Sequence, residues 1–374
     1  MIYLDHSATT YVDDDVMETF IKANTNFWGN PSSLHNFGAL AEQVLIKSSR
    51  QILDLLNANG HQVIFTSGAT ESNNLALKGL AASHPGGHLI TTKLEHPSVY
   101  EVCLQLEKQG YRISYLDVTK SPADVALELE KLINKDTFLV SCMHVNSEMG
   151  LVLPIKEMGE VISRHPKVKY HVDAVQSVGK FQVDVDQMNV DLLSISAHKI
   201  HGIKGVGALV MPRNMQITPQ IEGGGQMGGI RSGTVNVAGA VSLAKALRLV
   251  CESRENNFEK INRLYDDVRH KLESIKEVQI NSRFAHQSPY MINFSIQGIR
   301  GETLVHALEG HDVYISSKSA CSSKTMQASH VLLALGFDEE TATNAVRISF
   351  AHSTNLEEID KFIAALKIEI KKLR

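Results

Sequence analysis

The stretch Ser194-Ile195-Ser196-Ala197-His198-Lys199 decides how this chain reads. An apolar run ends in Ser-x-His-Lys, and Gly202, Gly205 and Gly207 follow. The pattern predicts a buried strand that delivers a lysine to its end among small hydrogen-bonding residues. Such a lysine can hold an aldehyde cofactor as a Schiff base, given an amine that loses its proton readily and donors for a nearby phosphate. An isolated Ser-x-His-Lys reads more simply as a surface lysine after a buried strand. The rest of the chain overturns that simpler reading.

Three further strand-like runs end in polar groups that suit one cofactor. Val168 to Val172 leads to Asp173, with Gln176 three residues on. A carboxylate at a strand end can pair with a pyridinium nitrogen and keep the ring electron-poor. Gln62 to Phe65 runs into Thr66-Ser67-Gly68-Ala69-Thr70-Glu71 and then a helical pattern through Leu75 and Leu80. Small residues opening a helix aim backbone N–H groups at an anion, which suits a phosphate. His88 to Thr92 delivers His96 in Leu94-Glu95-His96-Pro97. Each alone reads equally well as a cap, a turn or a core histidine. Four such strand ends in one α/β-patterned chain fit that alternative poorly.

Eight ordered segments carry a family resemblance through most of the chain. They are Tyr3-Leu4-Asp5-His6-Ser7-Ala8-Thr9-Thr10, Gly29-Asn30-Pro31-Ser32-Ser33-Leu34-His35, Phe65-Thr66-Ser67-Gly68-Ala69-Thr70-Glu71-Ser72 and Met143-His144-Val145-Asn146. The others are His171-Val172-Asp173-Ala174, Gln176-Ser177-Val178-Gly179-Lys180, Arg231-Ser232-Gly233-Thr234 and Ser319-Ala320-Cys321-Ser322-Ser323. With these segments the chain resembles the cysteine desulfurases of the NifS/IscS family, in the class V aminotransferase group of fold type I pyridoxal-phosphate enzymes.

The resemblance implies a role for each matched position. Lys199 would carry pyridoxal 5'-phosphate and move protons. Asp173 would face the ring nitrogen and Gln176 the ring hydroxyl. Ala69, Thr70, Ser196 and His198 would bind the phosphate, with Thr234 reaching it from the partner subunit of a homodimer. His96 would lie against the ring as an acid–base group. Arg347 would clamp the substrate carboxylate, where a planar guanidinium can donate two parallel hydrogen bonds, with Asn30 nearby.

Cys321 separates branches of that family. It lies in Ser316-Ser317-Lys318-Ser319-Ala320-Cys321-Ser322-Ser323-Lys324, which lacks apolar periodicity and reads as an exposed loop. Positive charge favours the nucleophilic thiolate, and Lys318 and Lys324 flank it. Cys103 and Cys142 sit in apolar runs and read as structural. The chain also departs from the family pattern. Ser147 stands where a second asparagine commonly contacts the ring hydroxyl, so its cofactor contact carries little weight. Ile203 replaces proline, Met227 an acidic residue, and Ala351-His352 a Gly-Arg pair.

Composition sets the remaining bounds. The 374 residues exceed one ordinary domain. A hydrophobic content of 43% and a mean hydropathy of −0.09 are those of a water-soluble globular chain. A net charge of −4 gives no electrostatic case for nucleic acid or membrane. The four cysteines lack metal-ligand spacing or a disulfide framework, so no metal is expected. No secretory signal and no membrane-spanning run is read, and a reducing cytoplasm is the plain expectation.

Strand-like runs alternate with helical patterns from about 62 to 212, the signature of a mainly parallel sheet covered by helices. A helical stretch from Val237 to Ile275 follows, then a smaller α+β part with strands at Tyr290 to Ile296 and Val313 to Ser316. The fold class is therefore α/β, with a seven-stranded sheet implied by the resemblance. Residues 15–255 are expected as the cofactor domain, and 1–14 with 256–374 as the small domain. The expected activity is conversion of L-cysteine to L-alanine with a persulfide on Cys321. Its sulfur would pass to an acceptor protein, either a tRNA sulfurtransferase or an iron–sulfur scaffold. The alternatives are a selenocysteine lyase or other β-cleaving enzyme, and a sulfur-relay scaffold whose pyridoxal site is structural. Cys321 in its Ser-Ala-Cys-Ser context favours the desulfurase.

Overall fold

The computed structural model describes residues 1–317 and 328–374, so the Cys321 segment lies outside the described residues. In chain order the strands are β1 (Ile2–Tyr3), β2 (His61–Thr66), β3 (His88–Thr91), β4 (Arg112–Tyr115), β5 (Thr137–Met143) and β6 (Lys169–Asp173). They continue with β7 (Leu192–Ser196), β8 (Gly207–Pro212), β9 (Val278–Ile280), β10 (Met291–Ile296), β11 (Val313–Tyr314) and β12 (Ala345–Ser349). The chain divides into two compact units: 11–144 with 154–253, and 1–10 with 145–153 and 254–374. Residues 145–153 thus group with the C-terminal residues, whereas the expected limits put them in the cofactor domain.

The larger unit is built on a seven-stranded sheet of order β2-β8-β7-β6-β5-β3-β4. The pairs among β7, β6, β5, β3 and β4 are parallel, and β8 runs antiparallel to both β2 and β7. Two antiparallel steps restore direction, so every strand but β8 ends on the same edge. Strands β3, β5 and β7 are buried at every residue. Their apolar runs show no alternation because both faces are covered. Helices α1 (Asp14–Asn26), α2 (Asn36–Leu55), α3 (Ala69–Ala81), α4 (Pro97–Lys108), α5 (Pro122–Leu132), α6 (Ile155–Ile162) and α7 (Val237–Glu252) belong to this unit. Leu75, Ala76 and Leu80 of α3 join Leu89, Val99, Leu139 and Leu209 in one core.

The smaller unit carries an antiparallel sheet of order β12-β10-β9, and β1 pairs parallel with β11. Helices α8 (Arg254–Glu273), α9 (Gly301–Glu309), α10 (His330–Ala334), α11 (Glu339–Asn344) and α12 (Leu356–Leu373) complete it. Phe294, Ile348, Phe362 and Leu366 lie in its core. Asn355 and Glu358 close a capping box at the start of α12, and Lys371 and Lys372 in its last turn suit the negative end of its dipole.

Two expected elements differ in extent. The helix expected over 237–275 breaks at Ser253, which ends α7 and whose hydroxyl donates to the Leu249 carbonyl at 2.8 Å. The strand expected to reach Ser316 stops at Tyr314, and Ser316 forms an isolated bridge to Arg347. Among the described residues no helix is long and apolar enough to cross a membrane, and no group of three metal-ligating side chains occurs.

Candidate active site

Because β8 alone is reversed, β2, β3, β5, β6 and β7 bring their carboxyl ends to one edge. Ligands of open α/β sheets sit outside that edge. The ends deliver Gly68, His96, Met143, Asp173 and the Ala197–Lys199 turn respectively.

At the end of β2 the chain turns through Gly68, with φ of 156° and ψ of 176°, a conformation that side chains resist. Gly68 has no side-chain cap for α3, so the N–H groups around Ala69 and Thr70 remain donors for an anion. A Cβ on Gly207 would lie 2.6 Å from Gly68 Cα, so only glycine lets β8 approach this turn. The Ser196 hydroxyl lies 3.9 Å from where a Gly68 Cβ would stand. Arg231 Nε donates to Glu71 Oε1 at 2.8 Å, which ties the Arg231–Thr234 stretch to the first turn of α3. Burial raises the Glu71 pKa, but hydrogen bonds from Arg231 and the Ser67 amide outweigh it and hold it low. Thr234 itself is exposed.

Asp173, buried at the end of β6, receives hydrogen bonds on both oxygens. The Val175 amide donates to Oδ1 at 3.1 Å and Asn73 Nδ2 to Oδ2 at 2.8 Å. Asn73 Nδ2 also reaches Ser98 Oγ at 2.8 Å, and Ser98 Oγ lies 2.8 Å from His96 Nδ1. His96 caps α4, its Nδ1 accepting from the Ser98 amide at 3.2 Å. An unbroken chain therefore joins His96 to Asp173. The adjacent Glu95 is 1% exposed. Its Oε1 accepts from Thr92 Oγ1 at 2.7 Å and from the Met143 amide at 3.1 Å. Burial pushes its pKa up to about 8, and the Asp173 charge adds to that rise.

Lys199 follows His198 in the turn beyond β7. Burial, helped by the positive charges of Lys199 and Lys204, lowers His198 to about 4. At neutral pH His198 is an uncharged ring that can offer one N–H to a phosphate. Gln176 Oε1 accepts from Lys180 Nζ at 2.9 Å, which orients its amide. Asn30 is exposed and forms a turn, its Oδ1 accepting from the Ser32 amide at 3.0 Å.

In the smaller unit Arg347 of β12 is 2% exposed. Its Nη2 donates to Asp5 Oδ1 and its Nη1 to the Ser147 carbonyl, each at 2.7 Å. Ser147 thus engages Arg347 through its backbone. Ser329 donates to Glu148 Oε2 at 2.6 Å, and Ser316 and Arg347 exchange backbone hydrogen bonds. These contacts fix both chain ends that flank the Cys321 segment. Cys103 and Cys142 are fully buried, and burial lifts both thiols well above their ordinary value.

Sequence reasoning passed over Asn73, Ser98, Glu95 and Asp5 as functional residues. Asn73 leaves one signal: it interrupts the buried face of α3 beside Ala76 and Leu80. At the sheet edge an uncapped helix start, a buried carboxylate and a lysine suit an anionic group joined to a heteroaromatic ring. Asn73 Oδ1 and Glu95 Oε2 are buried without a hydrogen-bond partner among the described residues, as expected of a site tuned for binding.

This α/β fold, with its lysine and carboxylate at the carboxyl edge of one sheet, has the architecture of the aminotransferase class of enzymes. The chain belongs to the class V aminotransferase family, whose model matches residues 2–362. It is 42% identical over 380 residues to the cysteine desulfurase IscS of Escherichia coli, covering 100% of this chain and 93% of that protein. A solved structure of a NifS-like protein superposes with a TM-score of 0.91 at 34% identity, covering 99% of each chain. The structure of SspA in complex with cysteine superposes with a TM-score of 0.78 at 34% identity, covering 94% of this chain and 99% of that one. The expected fold type I architecture is thereby borne out, as is the NifS/IscS relationship.

Proposed function

We propose that this protein is a cysteine desulfurase dependent on pyridoxal 5'-phosphate. It converts L-cysteine to L-alanine and holds the released sulfur as a persulfide on Cys321. The carrying observation is the convergence of Asp173, His96, His198–Lys199 and the uncapped start of α3 on one sheet edge. The larger unit is then the cofactor domain. The cofactor, when bound, supplies an electron sink for charge developing at the substrate α-carbon.

The residues divide the remaining work. The start of α3, with Ser196 and a neutral His198, would hold the phosphate. Asp173, kept in place by Asn73 and the Val175 amide, would accept from the ring nitrogen. Gln176 would donate to the ring hydroxyl. Lys199 would hold the cofactor, and its Nζ would take the α-proton of L-cysteine. Arg347 binds the substrate carboxylate. The Cys321 thiolate attacks the substrate sulfur, and the new S–S bond forms as the C–S bond breaks. The bonding electron pair stays on carbon, where a proton completes alanine. Asn30 and Ser147 play lesser parts here, since each already has a structural hydrogen bond.

A homodimer completes the site, with Thr234 reaching the partner's phosphate. Support comes from exposed Met17, Ile21, Trp28, Leu34, Leu40 and Ile46, all within α1, α2 and their connection. So many exposed apolar side chains in one short region mark a binding surface. The sulfur acceptor is a protein, a tRNA sulfurtransferase or an iron–sulfur scaffold, and the setting is a reducing cytoplasm that keeps Cys321 a thiol. Alanine release from L-cysteine, by the holoprotein and by Cys321→Ala side by side, tests the reading. The parent forms alanine and the variant almost none. A cofactor-loaded parent that forms no alanine with reductant present sinks it.

A further inference from the structure

The hydrogen-bond chain from His96 to Asp173 has only one consistent set of proton positions. A backbone N–H can only donate, and the Ser98 amide points at His96 Nδ1. Nδ1 is therefore an acceptor and carries no proton. The Ser98 hydroxyl, 2.8 Å from the same nitrogen, must give its single proton there. Ser98 Oγ then accepts from Asn73 Nδ2 at 2.8 Å.

Asn73 presents its NH2 end to the carboxylate, Nδ2 donating to Asp173 Oδ2 at 2.8 Å, because a turned-over amide would set two acceptor oxygens against each other. Both Nδ2 hydrogens are then committed, one to Asp173 and one to Ser98. The cost is visible, because Asn73 is 0% exposed and its Oδ1 has no partner among the described residues. An orphaned buried carbonyl carries a desolvation penalty. The fold keeps it to hold the other two contacts.

We propose that Asn73 and Ser98 are positioning residues that hold neutral His96 in the Nε2–H tautomer and couple it to the Asp173 carboxylate. His96 then meets its ligand as a hydrogen-bond donor, and proton acceptance falls to Lys199. The inference rests on the desulfurase reading for its mechanistic meaning and refines the acid–base role expected of His96. A neutral ring used as a donor needs one nitrogen pinned as acceptor, and two donors pin Nδ1 here.

The test is a two-bond ¹H–¹⁵N spectrum of histidine-labelled holoprotein at pH 8. His96 is assigned by its disappearance in His96→Gln. The parent is expected to show a pyridine-type Nδ1 and a pyrrole-type Nε2. Ser98→Ala, with one donor lost, should move Nδ1 toward its unbonded shift and admit the other tautomer. Ser98→Thr should restore the parent pattern. In turnover, Ser98→Ala should lower kcat about tenfold with KM for L-cysteine little changed, again restored by threonine. A parent His96 protonated on Nδ1 overturns the proposal, as does a Ser98→Ala spectrum identical to the parent's. The spectrum needs no turnover. A parent that makes no alanine would therefore sink the desulfurase reading while the tautomer is still decided by the shifts.

Discussion

Arg347 Nη2 donates to Asp5 Oδ1 at 2.7 Å, a partly buried ion pair between residues 342 positions apart in the chain. Asp5 also bridges to Ser349, so the first residues are held against β12 beside Arg347. With Nη1 on the Ser147 carbonyl, two contacts fix the plane of the guanidinium. Removing one partner of a buried pair leaves an uncompensated charge, typically at a cost of about 3–5 kcal/mol. The Asp5 side chain keeps 18% exposure, so water offsets part of that. Asp5→Ala should destabilise by roughly 3 kcal/mol in urea unfolding and raise KM for L-cysteine. Unchanged values for both would show that Asp5 does not hold Arg347.

Arg347→Lys keeps the charge but loses the planar fork. KM for L-cysteine should rise at least tenfold, while bound cofactor, measured by absorbance, stays at the parent level. A variant with parent KM would remove Arg347 from carboxylate binding.

Glu95 predicts a pH dependence of stability. Its pKa is raised from 4.5 in the unfolded chain to about 8 in the fold, chiefly by burial. Between these values the folded state binds the extra proton. Its contribution is thus full below pH 4.5 and is lost as pH rises through about 8. Glu95→Gln removes the titration and keeps the shape. The variant should therefore gain on the parent as pH rises from 4.5 to 8, by on the order of 4 kcal/mol across the window. Parallel stability curves for the two proteins would mean that Glu95 is ionised throughout.

Buried histidines act in the other direction. His144 and His171 are both lowered to about 4 by burial, against 6.5 unfolded, although the Asp173 charge opposes this for His171. The unfolded chain binds more protons between those values, so stability falls as pH drops from 6.5 toward 4. Urea midpoints measured in Glu95→Gln, where the opposing carboxyl is gone, should show the decline clearly. A flat profile there would refute it.

What was legible in the sequence follows from which forces are local. Strands β2, β3, β6 and β7 announce themselves as apolar runs, and the residues at their ends stand out because the chain turns polar abruptly. Lys199, Asp173, Gly68 and His96 were readable for that reason. Asn73 and Glu95 were not, because their partners lie far along the chain: Asp173 is 100 residues from Asn73, and Met143 is 48 from Glu95. The break at Ser253 was equally hidden, since no glycine or proline marks it and a serine hydroxyl ends the helix. The grouping of 145–153 with the C-terminal residues depends on contacts such as Ser282 Oγ to the Met149 carbonyl, 133 residues away. Periodicity carries no information about such pairs.

The approach of β8 to the Gly68 turn makes Gly207 a sensitive position. A Cβ there would meet Gly68 Cα at 2.6 Å and the Ile195 carbonyl at 2.8 Å, both backbone atoms that cannot swing aside. Gly207→Ala should shift the start of α3 and cost about 1–3 kcal/mol, as overpacking does. Because that turn is assigned to the phosphate, cofactor affinity should fall more than tenfold. Dialysis against buffer, followed by absorbance, measures the retained cofactor. Full retention in a folded variant would place the phosphate elsewhere.

The exposed apolar side chains of α1, α2 and their connection supply the last prediction. Leu34 stands fully exposed between the two helices, and Trp28 packs against Phe37 with ring centroids 4.7 Å apart. If this face is covered by a second copy, a charge placed there must be buried without a partner, which an interface tolerates poorly. Leu34→Asp should therefore convert the dimer to a 41.2 kDa monomer in sedimentation, with the monomer's fold intact by circular dichroism. Desulfurase activity should fall with the dimer, because Thr234 would no longer reach a partner's phosphate. A Leu34→Asp protein that stays dimeric moves the interface off this face. A fully active monomer removes Thr234 from the site.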